Sequence, residues 1–352
     1  MHSGGKIKPS YTRSLDLKKG CIEMVHGGGG RAMTQLIDQL FLAAFDNEFL
    51  RQMNDQACFQ SFNGRMVMST DSHVITPLFF PGGDIGSLSV HGTINDVVMS
   101  GAKPAYLAVS FILEEGFPLA DLKRIVNSMA KAAQEAHVPI VTGDTKVVER
   151  GSGDGVFITT TGVGMVPEGI HVSSNKAQPG DKILISGTLG DHGIAIMLLR
   201  ENLSFHCVLE SDTASLHDLV ASMVTAIPNI HVLRDPTRGG AATALNEIAH
   251  QSSVGMMLYE KKLPILEPVN AACEFLGLDP LYVANEGKLI AICTAQDADN
   301  LLATMHNHPL GKNAAIIGEV IEDTHCFVQM ETSFGGKRVV DWLSGEQLPR
   351  IC

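Results

Sequence analysis

The stretch Pro-Ile-Val-Thr-Gly-Asp-Thr-Lys, residues 139–146, joins a short apolar run to a glycine and an aspartate. This pattern predicts a buried strand that ends at Asp144. A similar run over residues 65–70 is followed by Asp71, and another apolar run is followed by Asp235. A fourth aspartate, Asp96, stands in a segment interpreted as a helix start. Strand ends and helix starts commonly present ligand-binding side chains, so we expect these segments to organise the site.

Helical and extended segments mix along the chain without a strict strand–helix–strand rhythm, which predicts an α+β fold. The length of 352 residues suits about two domains of ~150 residues each. Helices are predicted over residues 33–50, 91–99 and 119–136, and strands over 65–70, 106–113, 139–142, 157–166, 182–186 and 289–293. We expect a polar extension over residues 1–21, an N-terminal domain with a glycine-rich leader over 22–170, a C-terminal domain over 171–335 and a flexible tail over 336–352.

Composition excludes several classes of protein. With 26 Lys and Arg against 38 Asp and Glu, the net charge is −12, which argues against nucleic acid or an anionic membrane as a partner. No uncharged apolar run approaches the ~18 residues of a membrane helix. The 7 cysteines are widely spaced without a C-x-x-C motif, and the first residues lack the apolar segment of a secretory signal. These features predict a cytoplasmic protein.

Each of the four aspartates lies at a predicted strand end or helix start. Carboxylates that converge on one place repel one another unless cations join them, and Mg²⁺ with nucleotide phosphates is a common solution. The alternative is that each aspartate only caps a turn or a helix. On the first interpretation, a metal and nucleotide site is formed by Asp71, Asp96, Asp144 and Asp235.

The four consecutive glycines at residues 27–30 precede the first predicted helix. Backbone N–H groups in such a loop can bind phosphate, although a flexible leader is the alternative. The sequence contains neither a P-loop motif nor the protein-kinase motifs. If the protein uses ATP, it therefore does so with another fold.

In two candidate site segments, a lysine follows an acidic residue by two positions. Lys146 follows Asp144 and Lys288 follows Glu286, so a strand would place each pair on one side. A lysine and a glutamate near a phosphorylated intermediate can stabilise charge and transfer protons. The alternative is a pair of surface ion pairs. His192, between Asp191 and Gly193, is interpreted as a structural turn residue rather than a catalyst.

Cys352 is the last residue of the sequence. The ten residues before it span up to ~33 Å when extended, so a thiol on such an arm could collect a group at one place and present it at another. Its own α-carboxylate should raise the pKa of the thiol, and Arg350 could offset that effect. The alternative is an inert terminal residue.

The order of the motifs resembles the HypE family of nickel–iron hydrogenase maturation factors, within the aminoimidazole-ribonucleotide-synthetase-like superfamily. The resemblance covers residues 22–352, and the terminal Pro-Arg-Ile-Cys selects HypE within the superfamily. The segments that carry it are residues 26–30, 69–72, 79–86, 92–97, 141–148, 234–240, 284–288 and 349–352.

The resemblance implies a reaction, its partners and an architecture. A carbamoyltransferase, HypF, places a carboxamide on the thiol of Cys352, and the protein uses ATP to dehydrate it to a thiocyanate. The cyano group then passes to iron held by the HypC–HypD complex. The superfamily has two α+β domains and usually forms a homodimer, joining N-terminal strands into a barrel-like core with ATP sites at the interface.

The resemblance also implies roles for individual residues. Lys146 would stabilise the oxygen of the thiocarbamate and Glu286 would accept protons, with Cys352 as the carrier. Asp71, Asp96, Asp144 and Asp235 would hold Mg²⁺ and the ATP phosphates. The further ATP-binding residues would be Gly28, Gly29, Gly30, Asp84, Asn95, Thr142 and Gly143.

Two alternatives stay open at this point. Another enzyme of the superfamily, such as a selenophosphate synthetase, would carry its reactive residue near the N-terminus, where Cys21 lacks the expected motif. A non-catalytic thiol carrier or scaffold would need Cys352 but not the acidic residues.

Overall fold

The computed structural model describes residues 14–54, 56–60, 64–203, 209–343 and 351. Its α-helices are α1 Gly30–Leu36, α2 Leu42–Phe45, α3 Ile85–Val98, α4 Leu119–Glu135, α5 Asp191–Arg200, α6 His217–Ala226, α7 Gly240–Ser252, α8 Glu267–Leu276 and α9 Ala298–His306. Its strands are β1 Arg65–His73, β2 Phe79–Phe80, β3 Gly83–Asp84, β4 Lys103–Glu114, β5 Ile140–Val148, β6 Val156–Val166, β7 Lys182–Ile185, β8 Val232–Arg234, β9 Gly255–Tyr259, β10 Ile290–Cys293, β11 Ala315–Ile321, β12 Val328–Glu331 and β13 Lys337–Val339.

The N-terminal part is built on a four-stranded sheet in the order β1-β6-β4-β5. Strand β4 is parallel to β5 and antiparallel to β6, which is antiparallel to β1. Side chains alternate across a sheet, so each strand contributes to both faces. The inner face packs against α3, which in turn packs against α4, and it buries Val109 and Thr160. The outer face leaves Met66, Met68 and Ile112 exposed.

The C-terminal part contains a seven-stranded sheet in the order β13-β12-β9-β11-β7-β10-β8. Alternate residues of β7 enter two different cores. Leu184 joins the large core that also contains residues of α6, α9 and the N-terminal helices. Ile183 and Ile185 join a second core with residues of α7. One continuous apolar cluster therefore ties the two sheets together and fixes the cleft between them.

The α+β prediction is confirmed, and the differences lie in element bounds. The helix predicted over residues 33–50 ends at Phe45, after a π-helical turn at Ile37–Phe41. The side chain of Asn47 accepts hydrogen bonds from the backbone N–H groups of Phe49 and Leu50, which competes with helix continuation. Among the described residues, no helix has the length and apolar character needed to cross a membrane.

Candidate active site

Three of the four aspartates do not lie where the sequence predicts. Asp144 lies inside β5, which continues to Val148, and Asp71 lies inside β1, which continues to His73. Asp96 lies in the last turn of α3, since that helix begins at Ile85 under the cap of Asp84 rather than near residue 91. Only Asp235 lies just beyond a strand, β8, as predicted.

Three of the four aspartates meet at one end of the cleft. Asp71 projects from the inner face of β1, α3 brings Asp96 over that face, and the loop after β8 brings Asp235 to it. Asp96 and Asp235 lie close enough for the charge of Asp235 to raise the pKa of Asp96. Ser69 Oγ also donates to Asp96 Oδ2 at 2.8 Å. Asp96 and Asp235 line a cleft of about 490 Å³.

Burial and mutual repulsion shift the titration of this cluster. Burial, reinforced by the charge of Asp235, raises the pKa of Asp96 to about 7. Burial also raises the pKa of Asp235. The pKa of Glu286 lies well above its ordinary value because the carboxyl is buried, with Asp212 and Asp235 adding repulsion. Glu286 Oε1 is buried, and no described residue forms a hydrogen bond with it. The cluster therefore favours protons or added cations.

The donor set fits Mg²⁺ that arrives with a phosphate ligand. Among the described residues, no three His, Cys, Asp or Glu side chains form a group that could hold a metal by themselves. Mg²⁺, however, usually takes one or two carboxylates and completes its coordination shell with substrate phosphates and water. Carboxylates with raised pKa values gain most from such a cation.

Replacing Asp96 by Asn should stabilise the metal-free protein at high pH. The pKa of Asp96 is raised in the folded state, so the native protein binds more protons than the unfolded chain between pH ~4 and ~7. The free energy of unfolding therefore falls as pH rises through that window and levels off above it. At pH ~8 in EDTA we expect the free energy of unfolding of Asp96→Asn to exceed that of wild type by a few kcal/mol, at ~1.4 kcal/mol per pKa unit. Near pH ~4 the two free energies should be equal.

Urea unfolding at the two pH values measures this difference. Glu149→Gln changes an exposed carboxylate and leaves Asp96 in place, so it is the control and should have the same stability as wild type at both pH values. A variant no more stable than wild type at high pH would contradict the repulsion described for this cluster.

Asp144 and Lys146 lie on the opposite face of the same sheet. Asp144 is in register with Ser110 of β4, on the outer face, whereas Asp71 is in register with buried Thr160. Lys146 Nζ lies 3.0 Å from Asp144 Oδ2, and this ammonium lowers the pKa of the carboxyl. The predicted same-side pairing of Asp144 and Lys146 is confirmed. Within one chain, however, the four aspartates do not converge.

Thr142 and Gly143 line a largely apolar cavity of about 240 Å³ between β5 and the first helices, together with Asp144. The glycine loop borders the same strand, because a Cβ on Gly27 would come within 2.8 Å of the Val147 backbone N. Gly29 and Gly30 have φ of +78° and +74°, a region that favours glycine, and α1 begins at Gly30. Gly28 precedes them in the exposed turn of this loop.

Asp84 and Asn95 make structural contacts at the cleft. Asp84 Oδ1 accepts from the N–H groups of Gly86 and Ser87, which caps α3. Asn95 is buried, and its Nδ2 donates to the carbonyl oxygens of Ala214 and Glu286, both at 3.0 Å. Asn95 thereby holds the main chain of Glu286 against α3.

Sequence reasoning missed residues that connect the cluster to its surroundings. Arg238 Nη2 lies 3.1 Å from Asp71 Oδ1 and supplies positive charge beside the aspartates. Asp212 accepts from the Glu286 backbone N at 3.0 Å and from Lys288 Nζ at 2.9 Å. No motif signals Asp212, because its role comes from a contact made 74 residues away along the chain.

Cys352 lies outside the described residues, but the residue before it is described. Ile351 is buried, and its carbonyl oxygen lies 2.7 Å from His192 Nε2. His192 is itself fully buried in the first turn of α5. Ile351 is therefore in contact with the body of the protein.

Comparisons with known proteins agree with this architecture. Residues 53–166 match the N-terminal domain of AIR synthase related protein, and residues 178–331 match its C-terminal domain. A relative from Cupriavidus necator named carbamoyl dehydratase HypE is 70% identical over 349 residues, covering 99% of each chain. Thiamine monophosphate kinase from Aquifex aeolicus, at 18% identity and a TM-score of 0.58, shares the fold.

Two solved structures are similar over most of their length. The hydrogenase maturation protein HypE in complex with ATP has a TM-score of 0.90 and 51% identity, covering 94% of this chain and 99% of the other. A HypE–HypF complex has a TM-score of 0.78 and 51% identity, covering 88% and 99%. With identity of this level over whole chains, the protein belongs to the HypE family of carbamoyl dehydratases, within the AIR synthase related proteins.

Proposed function

We propose that the protein uses ATP to dehydrate an S-carboxamide on Cys352 to a thiocyanate, which supplies a cyanide ligand for the iron centre of nickel–iron hydrogenase. The 70% identity to a carbamoyl dehydratase supports the reaction. The structural observation that carries it is buried Glu286, which lies near the charges of Asp71, Asp212 and Asp235 and whose Oε1 has no hydrogen-bond partner among the described residues. This combination supports a role for Glu286 as the proton acceptor in a site suited to Mg²⁺ and phosphate.

The reaction converts the thiocarbamate S–C(=O)–NH2 and ATP into S–C≡N, ADP and inorganic phosphate. An amide oxygen is a poor leaving group, and ATP supplies the phosphoryl group with which it can depart as phosphate. The nitrogen must lose both protons as the C≡N bond forms. Glu286 suits this step because a carboxylate with a raised pKa binds a proton more strongly. Lys146 would stabilise charge that develops on the oxygen.

We assign the nucleotide to residues on both faces of the sheet. Asp71, Asp96 and Asp235 would hold Mg²⁺ and the phosphates from the cleft. Asp144, Thr142 and Gly143 would contribute from β5, together with the loop of Gly28, Gly29 and Gly30, and the apolar cavity beside them suits a purine base. The HypE structure solved with ATP supports nucleotide binding.

A homodimer would bring these two faces into one site. Strands β1 and β5 are the edges of the four-stranded sheet, and edges present unpaired backbone groups. The outer face also carries the exposed side chains of Met66, Met68 and Ile112, which a second sheet would bury. Pairing β5 of one copy beside β1 of the other would bring the strand that carries Asp144 in one chain next to the strand that carries Asp71 in its partner.

The partners and location follow from the same reaction. HypF would load the carboxamide onto Cys352, and the solved HypE–HypF complex supports that contact. The HypC–HypD complex would accept the cyano group. A free cysteine thiol as carrier suits the reducing cytoplasm.

Intact-protein mass spectrometry tests the reaction directly. Wild type incubated with HypF, carbamoyl phosphate and ATP–Mg²⁺ should gain roughly 43 Da and then convert to a gain of roughly 25 Da, as CONH2 and then CN replace the thiol hydrogen. Cys352→Ala should show neither mass, whereas Cys58→Ala, which removes another thiol, should behave as wild type. A first adduct that never converts would indicate a carrier. No adduct with an active HypF would favour another superfamily reaction.

A further inference from the structure

Both polar groups of the Glu286 main chain are held by side chains from distant parts of the sequence. The backbone N–H donates to Asp212 Oδ1 at 3.0 Å, and the carbonyl oxygen accepts from Asn95 Nδ2 at 3.0 Å. The Glu286 side chain is held less firmly, because no described residue forms a hydrogen bond with its Oε1. The position of this carboxyl group therefore depends on how the main chain is held.

Asp212 joins the Glu286 main chain to a buried ammonium group. While Oδ1 accepts from Glu286, Oδ2 accepts from Lys288 Nζ at 2.9 Å. The side chains of Lys288 and Asp212 are only 11% and 4% exposed, and Lys288 Nζ also lies 3.6 Å from Asp191 Oδ2. Separating a buried ion pair leaves uncompensated charge away from water, so the pairing with Lys288 fixes one oxygen of Asp212. The other oxygen is left for Glu286.

Two glycines leave room for this arrangement. A Cβ on Gly287 would collide with the carbonyl oxygen of Asp212, and a Cβ on Gly187 would lie 2.8 Å from Lys288 Cε. Glycine is the residue that permits such close approach of a backbone to its neighbours. The loop that carries Glu286 therefore packs directly against the main chain of residue 212.

Helix α3 fixes the segment that follows Asp212. Asn95 Oδ1 accepts from the Leu216 backbone N at 2.8 Å, and Asn95 Nδ2 donates to the carbonyl oxygen of Ala214 at 3.0 Å. The next residue of the helix is Asp96, a proposed Mg²⁺ ligand. Helix α3 thus connects the proposed metal site to the segment that holds the Glu286 loop.

We propose that Asp212 is a positioning residue for Glu286: its carboxylate, paired with Lys288, holds the Glu286 main chain so that the Glu286 carboxyl group stays near Asp71 and Asp235. The role rests on the proposed function of Glu286 as proton acceptor. Asp212 itself does not touch the reacting group. A displacement of about 1 Å at a reacting group can cost up to about 100-fold in rate, so loss of this contact should slow dehydration.

Hydrogen exchange at the Glu286 amide measures the contact without any catalysis. Exchange is followed on the full chain by mass spectrometry with electron-transfer fragmentation, which resolves single amides. We expect this amide to exchange about tenfold faster in Asp212→Ala than in wild type, because it loses its acceptor.

The matched control is Asp181→Ala, which removes another buried carboxylate with partners of the same kind. Asp181 Oδ2 accepts from the Gln178 backbone N at 2.8 Å and pairs with His231 Nδ1 at 2.7 Å. It lies at the other end of β7 from the Lys288 side chain. Exchange at the Glu286 amide should be unchanged in this control.

A double-mutant cycle tests whether Asp212 acts through Glu286. Asp212→Ala preloaded with carboxamide should convert to thiocyanate about tenfold more slowly at saturating ATP–Mg²⁺, with ATP affinity unchanged. Added to Glu286→Gln, it should cause no further loss, because the carboxylate that it positions is already gone. Asp181→Ala should convert at the wild-type rate. A loss of equal size in both backgrounds would show a general structural effect and overturn the proposal.

A second variant keeps the test decisive if Asp212→Ala does not fold. Asp212→Asn keeps the shape but has one oxygen, which cannot serve both Lys288 Nζ and the Glu286 amide. Exchange at that amide should then rise about threefold, and conversion should slow by a similar factor. Equal exchange in wild type and in the folded Asp212 variants would overturn the proposal, as would faster exchange with normal conversion. If exchange rises but wild type itself forms no thiocyanate, Asp212 still positions Glu286 and the proposed reaction fails.

Discussion

Replacing Glu286 by Gln is expected to slow conversion of the loaded carboxamide to thiocyanate at least ~100-fold, the usual range for loss of a general base. Glu286 is 4% exposed, and its Oε1 has no partner within the described residues, so in its ionised form it can accept a proton. Glutamine has the same shape and cannot accept the proton. Single-turnover mass spectrometry of preloaded protein with ATP–Mg²⁺ gives the rate.

Binding and folding should survive this change. The pKa of Glu286 is raised well above its ordinary value, so the metal-free protein holds it largely as the neutral acid, which glutamine resembles. We therefore expect unchanged ATP affinity by calorimetry and an unchanged melting temperature. Glu319→Gln, which alters a carboxylate paired with Lys182 in the C-terminal sheet, is the control and should convert at the normal rate. Conversion by Glu286→Gln at the rate of that control would remove Glu286 from the reaction.

The sequence predicted the positions of some candidate residues because those positions depend only on neighbouring residues in the chain. Spacing alone placed Asp144 and Lys146 on one side of a strand, and the apolar run before Asp235 predicted the end of β8. These inferences need only the two-residue period of a strand. The family resemblance supplied the reaction, which no spacing could supply.

Relations between distant elements were not predictable in the same way. Whether Asp71 and Asp144 lie close together depends on the order of the strands. In a sheet ordered β1-β6-β4-β5, two strands lie between them, and their side chains project from opposite faces. His192 was interpreted as a turn residue because its partners, Ser211 and Ile351, lie 19 and 159 residues away. Tertiary contacts of this kind leave no local pattern.

Replacing Asp144 by Asn is expected to abolish ATP hydrolysis while Cys352 still accepts a carboxamide from HypF. The same loss is expected for Asp235→Asn on the other face of the sheet. If each site takes Asp144 from one copy and Asp235 from the other, a mixed dimer of the two variants has one intact site. A one-to-one mixture, formed by co-expression with two tags, should therefore recover about a quarter of wild-type hydrolysis.

The matched control pairs two variants of the inner cluster. Asp96 and Asp235 line the same cleft of one chain, so a mixed dimer of Asp96→Asn with Asp235→Asn has a defect in both sites and should stay inactive. Native mass spectrometry confirms that mixed dimers have formed in both cases. Recovery in the first mixture alone would assign β5 and the inner cluster to different copies. If mixed dimers form but neither mixture recovers ATP hydrolysis, the shared site is contradicted. If Asp144→Asn alone hydrolyses ATP at the wild-type rate, Asp144 has no role in nucleotide binding.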